Sequence, residues 1–593
     1  MIGLPIALAA LAPWLSLLPL QGAAAVLAQA IALIAAAHGA GLVVAGLARR
    51  DQVHPLLAIQ WGFAALIAVS GIALALRSDT LAVQTTIVCG FAGVHSAMLI
   101  ARWRSYPRLR LGAWWIPACL LAALAAIHIL GGAGDLGARP FDDDGNVLAQ
   151  IQRLRDTGAL GDAVGYARRS QLGGQLALNA LATLPGDVHL AKILEAIAFA
   201  CALGLTCARM RLHDAASCLW AVLVLITASA LAFAPLDLAT CWTAVGLVVA
   251  LHAMIVDEDH PHLGVVGLIA GALIALRLEL APLALAALVR AWWPTRRDPR
   301  AAWHAGLGLL VVVVPYLLAR GNPPHELLDA ARGLSLRRVV TFAAIGGLGG
   351  VVAALVVRHR HRRWLAVGAV LVLAAITSSM IGERGYAMRL LCPLAIAGGL
   401  VAAIELSRAL TVTTGALIGA VVAMVLIHEG REATGRTRWT RRYLELAASI
   451  EYVRHSGQDA PVSGGYASLL EQVPRGSTVA LWVTRPERLD YAAHEFVDLR
   501  TPRGARLRVH RWAAHTSKLA QLIEASGAEF LLLEEDDRLA ERIRGSWLVR
   551  FVCTSWKPAC ADDLEVLALD HHILASDGGV RLIDLRAGLR AAH

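Results

Sequence analysis

The chain has 593 residues, of which 57% are hydrophobic and 17% charged, and its formal net charge is +10. Apolar stretches of roughly 17–25 residues recur as far as about Ile427, which excludes an ordinary water-soluble enzyme and marks a polytopic helical membrane protein. Lys192, Lys518 and Lys557 are the only lysines, so arginine carries the positive charge; short arginine-rich loops belong at cytoplasmic membrane edges, and nucleic-acid binding is a poor reading.

In chain order, the first segment, MIGLPIALAALAPWLSLL, lacks a basic start and runs on into more apolar sequence. It is expected to be a spanning helix and not a cleaved signal. Basic clusters then set the orientation. RWRSYPRLR (Arg102 to Arg110), RMRLH (Arg209 to His213), the arginines Arg296, Arg297 and Arg300, and RHRHRR (Arg358 to Arg363) are all expected on the cytoplasmic side. With about fifteen membrane segments, parity works if the N-terminus is inside. The Asp142 loop, the Asp237 turn, the Arg277 region, the Arg384 loop and the C-terminal domain then share the outer side. One loop resists. GNPPHELLDAARGLSLRR falls outside by parity yet carries Arg332, Arg337 and Arg338. Either the count slips there or those arginines meet an anionic lipid group.

Residues 1–110 hold the N-terminal helices, 111–428 a transmembrane core with an outer loop over 131–187, and 429–593 a charged tail that reads as a separate soluble domain. The outer loop is too polar to span. Within it, NVLAQIQRL has apolar residues at helical spacing and predicts a helix on the membrane surface, while the glycines Gly161, Gly165, Gly173 and Gly174 read as loop. The tail alternates strand candidates (TVALWVT, EFLLLEE, LEVLAL, VRLIDL) with the helical pattern TSKLAQLIEASG, which suggests a small α/β layer. It has no G-x-G-x-x-G fingerprint, so this pattern implies no nucleotide cofactor.

Of the nine cysteines, seven (Cys89, Cys119, Cys201, Cys207, Cys218, Cys241 and Cys392) fall in apolar segments and read as small packing residues. A disulfide between Cys553 and Cys560 would place the tail in an oxidising compartment; spacing alone leaves this open. DEDHPH (Asp257 to His262) has metal-ligand residue types, but it lies inside by parity and reads as a solvated loop.

The chemistry-bearing feature is the acid run Asp142, Asp143 and Asp144, directly after the apolar stretch from about Leu111 to Leu130. Carboxylates at the edge of a bilayer are costly, and there water can meet a lipid-borne substrate. The alternative is a solvated N-terminal cap on the following helix, which suits any of the three. Further along stand Lys192 in LPGDVHLAKILEAIAF, Asp237 in FAPLDLATCW, Arg277 with Glu279 in ALRLELAPL, and Arg384, Tyr386, Arg389 and Pro393 in ERGYAMRLLCP. Each has a plain structural alternative. Lys192 could snorkel, Asp237 could cap a helix, Arg277 could pair internally with Glu279 or an aspartate, and Arg384 could anchor at the interface.

The order of these segments resembles the glycosyltransferase C superfamily, in particular the branch of protein O-mannosyltransferases and the lipid A aminoarabinose transferase. The resemblance spans roughly Leu111 to Ile427, and about four upstream helices have no counterpart in its simplest members. It implies that Asp143 is the base that activates the acceptor hydroxyl, with Asp144 as its partner and Asp142 as a register alternative. It implies that Asp237 lines the acceptor or sugar pocket, and that Arg277, Arg384, Arg389 and Lys192 hold the donor phosphate. Lys192 and Arg277 replace a usual arginine and lysine, and an inserted residue separates Arg384 from Tyr386. The implied protein is an inverting glycosyltransferase of a bacterial inner membrane. Its donor is a polyprenyl-phosphate sugar, its acceptor a glycan, lipid or protein, and its tail lies in the periplasm. No cofactor is expected; three acids could support a divalent metal, but nothing demands one. The rivals are a transporter or flippase of lipid-linked glycans, and a glycan ligase or polymerase with a diphosphate-linked donor.

Overall fold

The structure, a computed structural model, is described over residues 11–17, 22–50, 53–102, 115–138, 142–160, 172–183, 190–191, 193–210, 242–257, 261–277, 280–320, 397, 400–401, 404, 464–483, 486–498, 527–534, 572–577 and 579–586. It is mostly helical. The membrane part comprises α1 (Gly22–Leu47), α2 (Pro55–Ala75), α3 (Leu81–Arg102), α4 (Trp115–Ala138), α5 (Asp142–Thr157), α6 (Gly174–Ala182), α7 (Ile193–Arg209), α8 (Trp242–Asp257), α9 (Leu263–Leu276), α10 (Ala281–Trp292) and α11 (Pro299–Arg320). Among the described residues, four helices are long and apolar enough to cross a membrane: Ala23–Leu47, Pro55–Ala75, Leu81–Ala101 and Pro299–Ala319.

Burial ranks these four. The span of α2 is 83% buried and forms the centre, whereas those of α3 and α11 are 22% buried and form the rim. Large apolar side chains on α11, among them Trp303, Leu307, Leu310 and Leu318, are exposed, as a lipid-facing surface requires.

Small residues let the backbones touch. A Cβ at Gly62 of α2 would lie 1.6 Å from the Ala37 carbonyl oxygen of α1, and one at Gly39 of α1 would lie 1.9 Å from that of Phe91 on α3. On α9 and α11, which run parallel, Gly267 meets Ala305 and Gly308 meets Gly264 in the same way. Such contacts are how helices associate where the surrounding solvent is as apolar as their side chains. Gly62→Ala is therefore expected to force α1 and α2 apart and cost about 1–3 kcal/mol. Gly46→Ala, with nothing within 4 Å of the new Cβ, should leave the denaturation midpoint in detergent unchanged or slightly raised.

Of the first apolar segment, residues 11–17 are described, with Ala12–Leu17 as a 3-10 helix, and the rest lies outside the described residues. Two expectations change. The helix before the acid triplet runs on through the glycines past Leu130 to Ala138, shortening the outer loop at its start. Gly174, read as loop, opens the buried helix α6, with Gly173 (φ 118°) ahead of it in a conformation suited to glycine. Ala397, Leu400 and Ile404 are helical and packed in the same core as the bundle.

The tail contains a helix, α12 (Gly464–Leu470), and five strands: β1 (Thr478–Trp482), β2 (Glu495–Asp498), β3 (Phe530–Glu534), β4 (His572–Asp577) and β5 (Val580–Asp584). Their order is β2-β1-β3-β5-β4, parallel across β2, β1 and β3 and antiparallel across β3, β5 and β4. Val479, Leu481, Phe530, Leu532 and Leu582 pack with Tyr466, Leu469 and Leu470 of α12 into one small core. Three of the four strand candidates are β1, β3 and β5; LEVLAL and the TSKLAQLIEAS helix lie outside the described residues, as do Cys553 and Cys560.

Candidate functional site

The bundle has two chemically distinct ends. At one, Arg49 and Arg50 close α1, and Arg209, which closes α7, lies close enough to His54 to act on it electrostatically. His262, just before α9, is in the field of Arg50 and His304. Burial first, and these cations second, push the His54 and His262 imidazoles below the usual histidine range. Of the expected basic clusters, Arg209 is seen at this end, while RHRHRR and the part of RWRSYPRLR beyond Arg102 lie outside the described residues. Of DEDHPH, Asp257, Pro261 and His262 are described, and the other three residues lie outside the described residues.

The opposite end carries the polar cluster that concerns function. Helix α5 begins at Asp142, so the three acids occupy its first turn, where the helix dipole favours negative charge. Leu148, Ala149, Ile151 and Leu154 form its buried face. At its last turn, Asp156 accepts from Gln152 Nε2 (2.9 Å) and from the backbone N–H of Tyr491 in the tail (3.1 Å). Burial raises the Asp156 carboxyl above the usual aspartate range; the two hydrogen bonds oppose this, and nearby Asp490 adds to it. The tail is therefore held on the helix that the acid triplet heads.

Beneath α5 lies α6. Its first residue, Gly174, faces the backbone of Ala275 on α9, where a Cβ would come within 3.0 Å. This close approach brings Gln175 and Asn179 to the end of α9. There Arg277 closes the helix, its N–H donating to the Leu273 carbonyl (2.9 Å) before the backbone turns extended. Arg277 is only 3% exposed.

The acid in this cluster is Glu195 of α7, which is fully buried. Gln175 Nε2 donates to its Oε1 at 2.7 Å, the Thr243 hydroxyl reaches the same oxygen at 3.4 Å, and the backbone N–H of Trp242 donates to Oε2. Trp242 is the first residue of α8, so Glu195 satisfies an orphan N–H at a helix start and sits in the favourable field of that helix. Arg277 acts on the same carboxylate electrostatically. One side chain thus ties α6, α7 and α8 together beside a buried guanidinium. Phe199 stacks edge-on against Trp242 (4.8 Å between ring centres) and against His128 (4.7 Å), closing the apolar side of the cluster.

Of the residues singled out in the sequence, Arg277 is the one whose side chain is seen in this cluster, and its electrostatic partner there is Glu195 of α7. Asp142, Asp143 and Asp144 are placed as the head of α5. Lys192, Asp237, Glu279, Arg384, Tyr386, Arg389 and Pro393 lie outside the described residues. Glu195 itself was not singled out. Its signal was present, since an acid inside the apolar run ILEAIAF is a functional-site hypothesis by default.

These elements define a helical membrane protein that carries a small mixed sheet. No protein-family model, curated protein or solved structure matches the chain.

Proposed function

We propose that the protein is a membrane glycosyltransferase that moves a sugar from a polyprenyl-phosphate donor to a periplasmic or lipid-linked acceptor. The observation that carries this reading is Arg277. A guanidinium 3% exposed stands in a polar cluster at one end of an apolar bundle, on α9, which packs against α6; α6 in turn packs against α5, the helix whose first turn holds Asp142, Asp143 and Asp144. Buried arginine is costly in such a setting, and its forked donors suit a phosphate. Asp143 takes the proton of the acceptor hydroxyl, the freed oxygen attacks the anomeric carbon, and the bond from that carbon to the phosphate oxygen breaks with inversion. The departing polyprenyl phosphate keeps the electron pair, and Arg277, with Arg384, Arg389 and Lys192, stabilises its charge. Asp144 supports the base, and Asp237 lines the acceptor or sugar pocket.

The basic end of the bundle is then cytoplasmic, and the tail, bound to α5 through Asp156 and Tyr491, lies on the outer side of a bacterial inner membrane. There it caps the site or binds acceptor.

The test is transfer by the purified protein in liposomes supplied with radiolabelled polyprenyl-phosphate sugars. Transfer should survive collapse of the membrane potential and drop about 10²- to 10⁴-fold in Asp143→Asn, the range that a general base supplies. Movement of the intact lipid-linked glycan across the bilayer without transfer would instead identify a flippase.

A further inference from the structure

Asp79 lies outside the segments that the sugar-transfer reading uses, in the turn between α2 and α3. It is fully buried, and among the described residues neither of its carboxylate oxygens has a hydrogen-bond partner. The turn holds it there by its backbone. The Asp79 N–H donates to the Gly158 carbonyl just past α5 (3.2 Å), and its own carbonyl accepts from Gln84 Nε2 on α3 (3.0 Å). Gly158 (φ 67°) is pressed so closely on the turn that a Cβ there would lie 2.8 Å from the Arg77 carbonyl oxygen. The carboxyl therefore cannot swing out without lifting the end of α5.

The groups that face it do not neutralise it. From α11 comes Tyr316, which feels the charge of Asp79, but its hydroxyl donates to the Ile67 carbonyl (2.9 Å). From α3 comes Gln84, fully buried, with its N–H on the Asp79 backbone and its Oε1 without a partner. Arg77, on the same turn, is exposed, and no cationic side chain among the described residues acts on the carboxyl. Among the described residues three buried oxygens thus lack hydrogen-bond partners, two of them belonging to an acid. An uncompensated buried carboxylate is too costly to persist, and it must be neutralised by something it binds.

We propose that the Asp79 carboxylate, with Gln84 Oε1 beside it, is a binding site for one small cation, a proton or a sodium ion, whose occupancy keeps the α2–α3 turn docked against the end of α5. Hard oxygen donors and the absence of nitrogen or sulfur ligands fit either occupant. Burial also lifts the Asp79 carboxyl from 3.8 to about 7, with the Gln84 side chain working against the rise. The folded chain therefore holds this proton while the unfolded chain has already lost it. The stability that this group contributes is accordingly full below about pH 4, falls as pH rises towards about pH 7, and levels off beyond.

Thermal unfolding of the full-length protein in detergent, from about pH 4 to about pH 8, tests this in sodium chloride and in choline chloride of equal ionic strength. Wild type should lose several degrees of melting temperature as the pH rises, and Asp79→Asn should lack that part of the loss. If the occupant is a proton alone, the two salts give the same profile. If sodium also binds, it restores melting temperature at the alkaline end in wild type but not in Asp79→Asn, and Gln84→Leu weakens that rescue. Should the Asn variant not fold, carbodiimide labelling of wild type replaces it: modification of Asp79 that falls as pH rises, or as sodium is added, supports the site. Identical profiles for wild type and Asp79→Asn in both salts, or no labelling at any pH, would overturn it.

Discussion

Replacing Arg277 with Gln should lower kcat/KM for a polyprenyl-phosphate sugar by about 10²- to 10³-fold, the loss expected when one preorganised donor to a developing charge is removed. The reasoning starts from burial. Arg277 is 3% exposed, so its interaction with a phosphate would not be screened as a surface contact is. Arg277→Lys keeps the charge but loses the planar fork, and should fall between wild type and Gln. The effect must be separated from folding, because removing a buried group that acts on the Glu195 carboxylate is itself destabilising by about 1–3 kcal/mol. Binding of the polyprenyl phosphate alone, measured on the folded fraction in nanodiscs, makes that separation. Weakened binding in both variants, graded Gln below Lys, is the expected result. Unchanged binding in Arg277→Gln would leave the guanidinium a structural partner of Glu195 and remove the main support for the sugar-transfer reading.

Arg277 and Glu195 also show what was legible in the sequence. A lone arginine in GLIAGALIALRLEL stands out because every neighbour is apolar, and periodicity places it at a helix end. Its partner could not be named from local sequence, because Glu195 lies on α7 and the two meet only through packing. Glu195 was legible as an anomaly but not as a hub, since two of its bonds come from Gln175 and from the first N–H of α8. Asp79 was not legible at all. In RSDT between two apolar runs, an aspartate reads as an ordinary exposed turn residue, and the groups packed against it, Gly158 and Gln84 among them, are not adjacent to it in sequence.

The strands divide in the same way. TVALW, FLLLE and VRLID are rich in apolar and β-branched residues and form β1, β3 and β5, which lie inside the sheet. The edge strands β2 (EFVD) and β4 (HILASD) carry charge, as edges exposed to solvent do, and that same charge hides them from a reading based on hydrophobicity. Gly174 misled in a different way. A Gly-Gly pair signals a break, but here its second member is small because the Ala275 backbone occupies the space a side chain would need.

The larger stability effect is expected at Glu195. Glu195→Ala withdraws the acceptor from the Trp242 N–H, from Gln175 Nε2 and from the Thr243 hydroxyl, and it removes a carboxylate on which Arg277 acts electrostatically. Leaving these buried donors unsatisfied costs about 1–3 kcal/mol for each of them. Glu195→Gln keeps one acceptor oxygen for the helix start but turns an amide towards the amide of Gln175, and should cost about 1–3 kcal/mol. Because the two charges act on each other, Glu195→Gln combined with Arg277→Gln should destabilise less than the sum of the single changes, by about 0.5–3 kcal/mol. Denaturation midpoints in detergent, taken for all four members of the cycle, check this. Strict additivity would mean that Glu195 serves the start of α8 and Gln175 without any energetic link to Arg277.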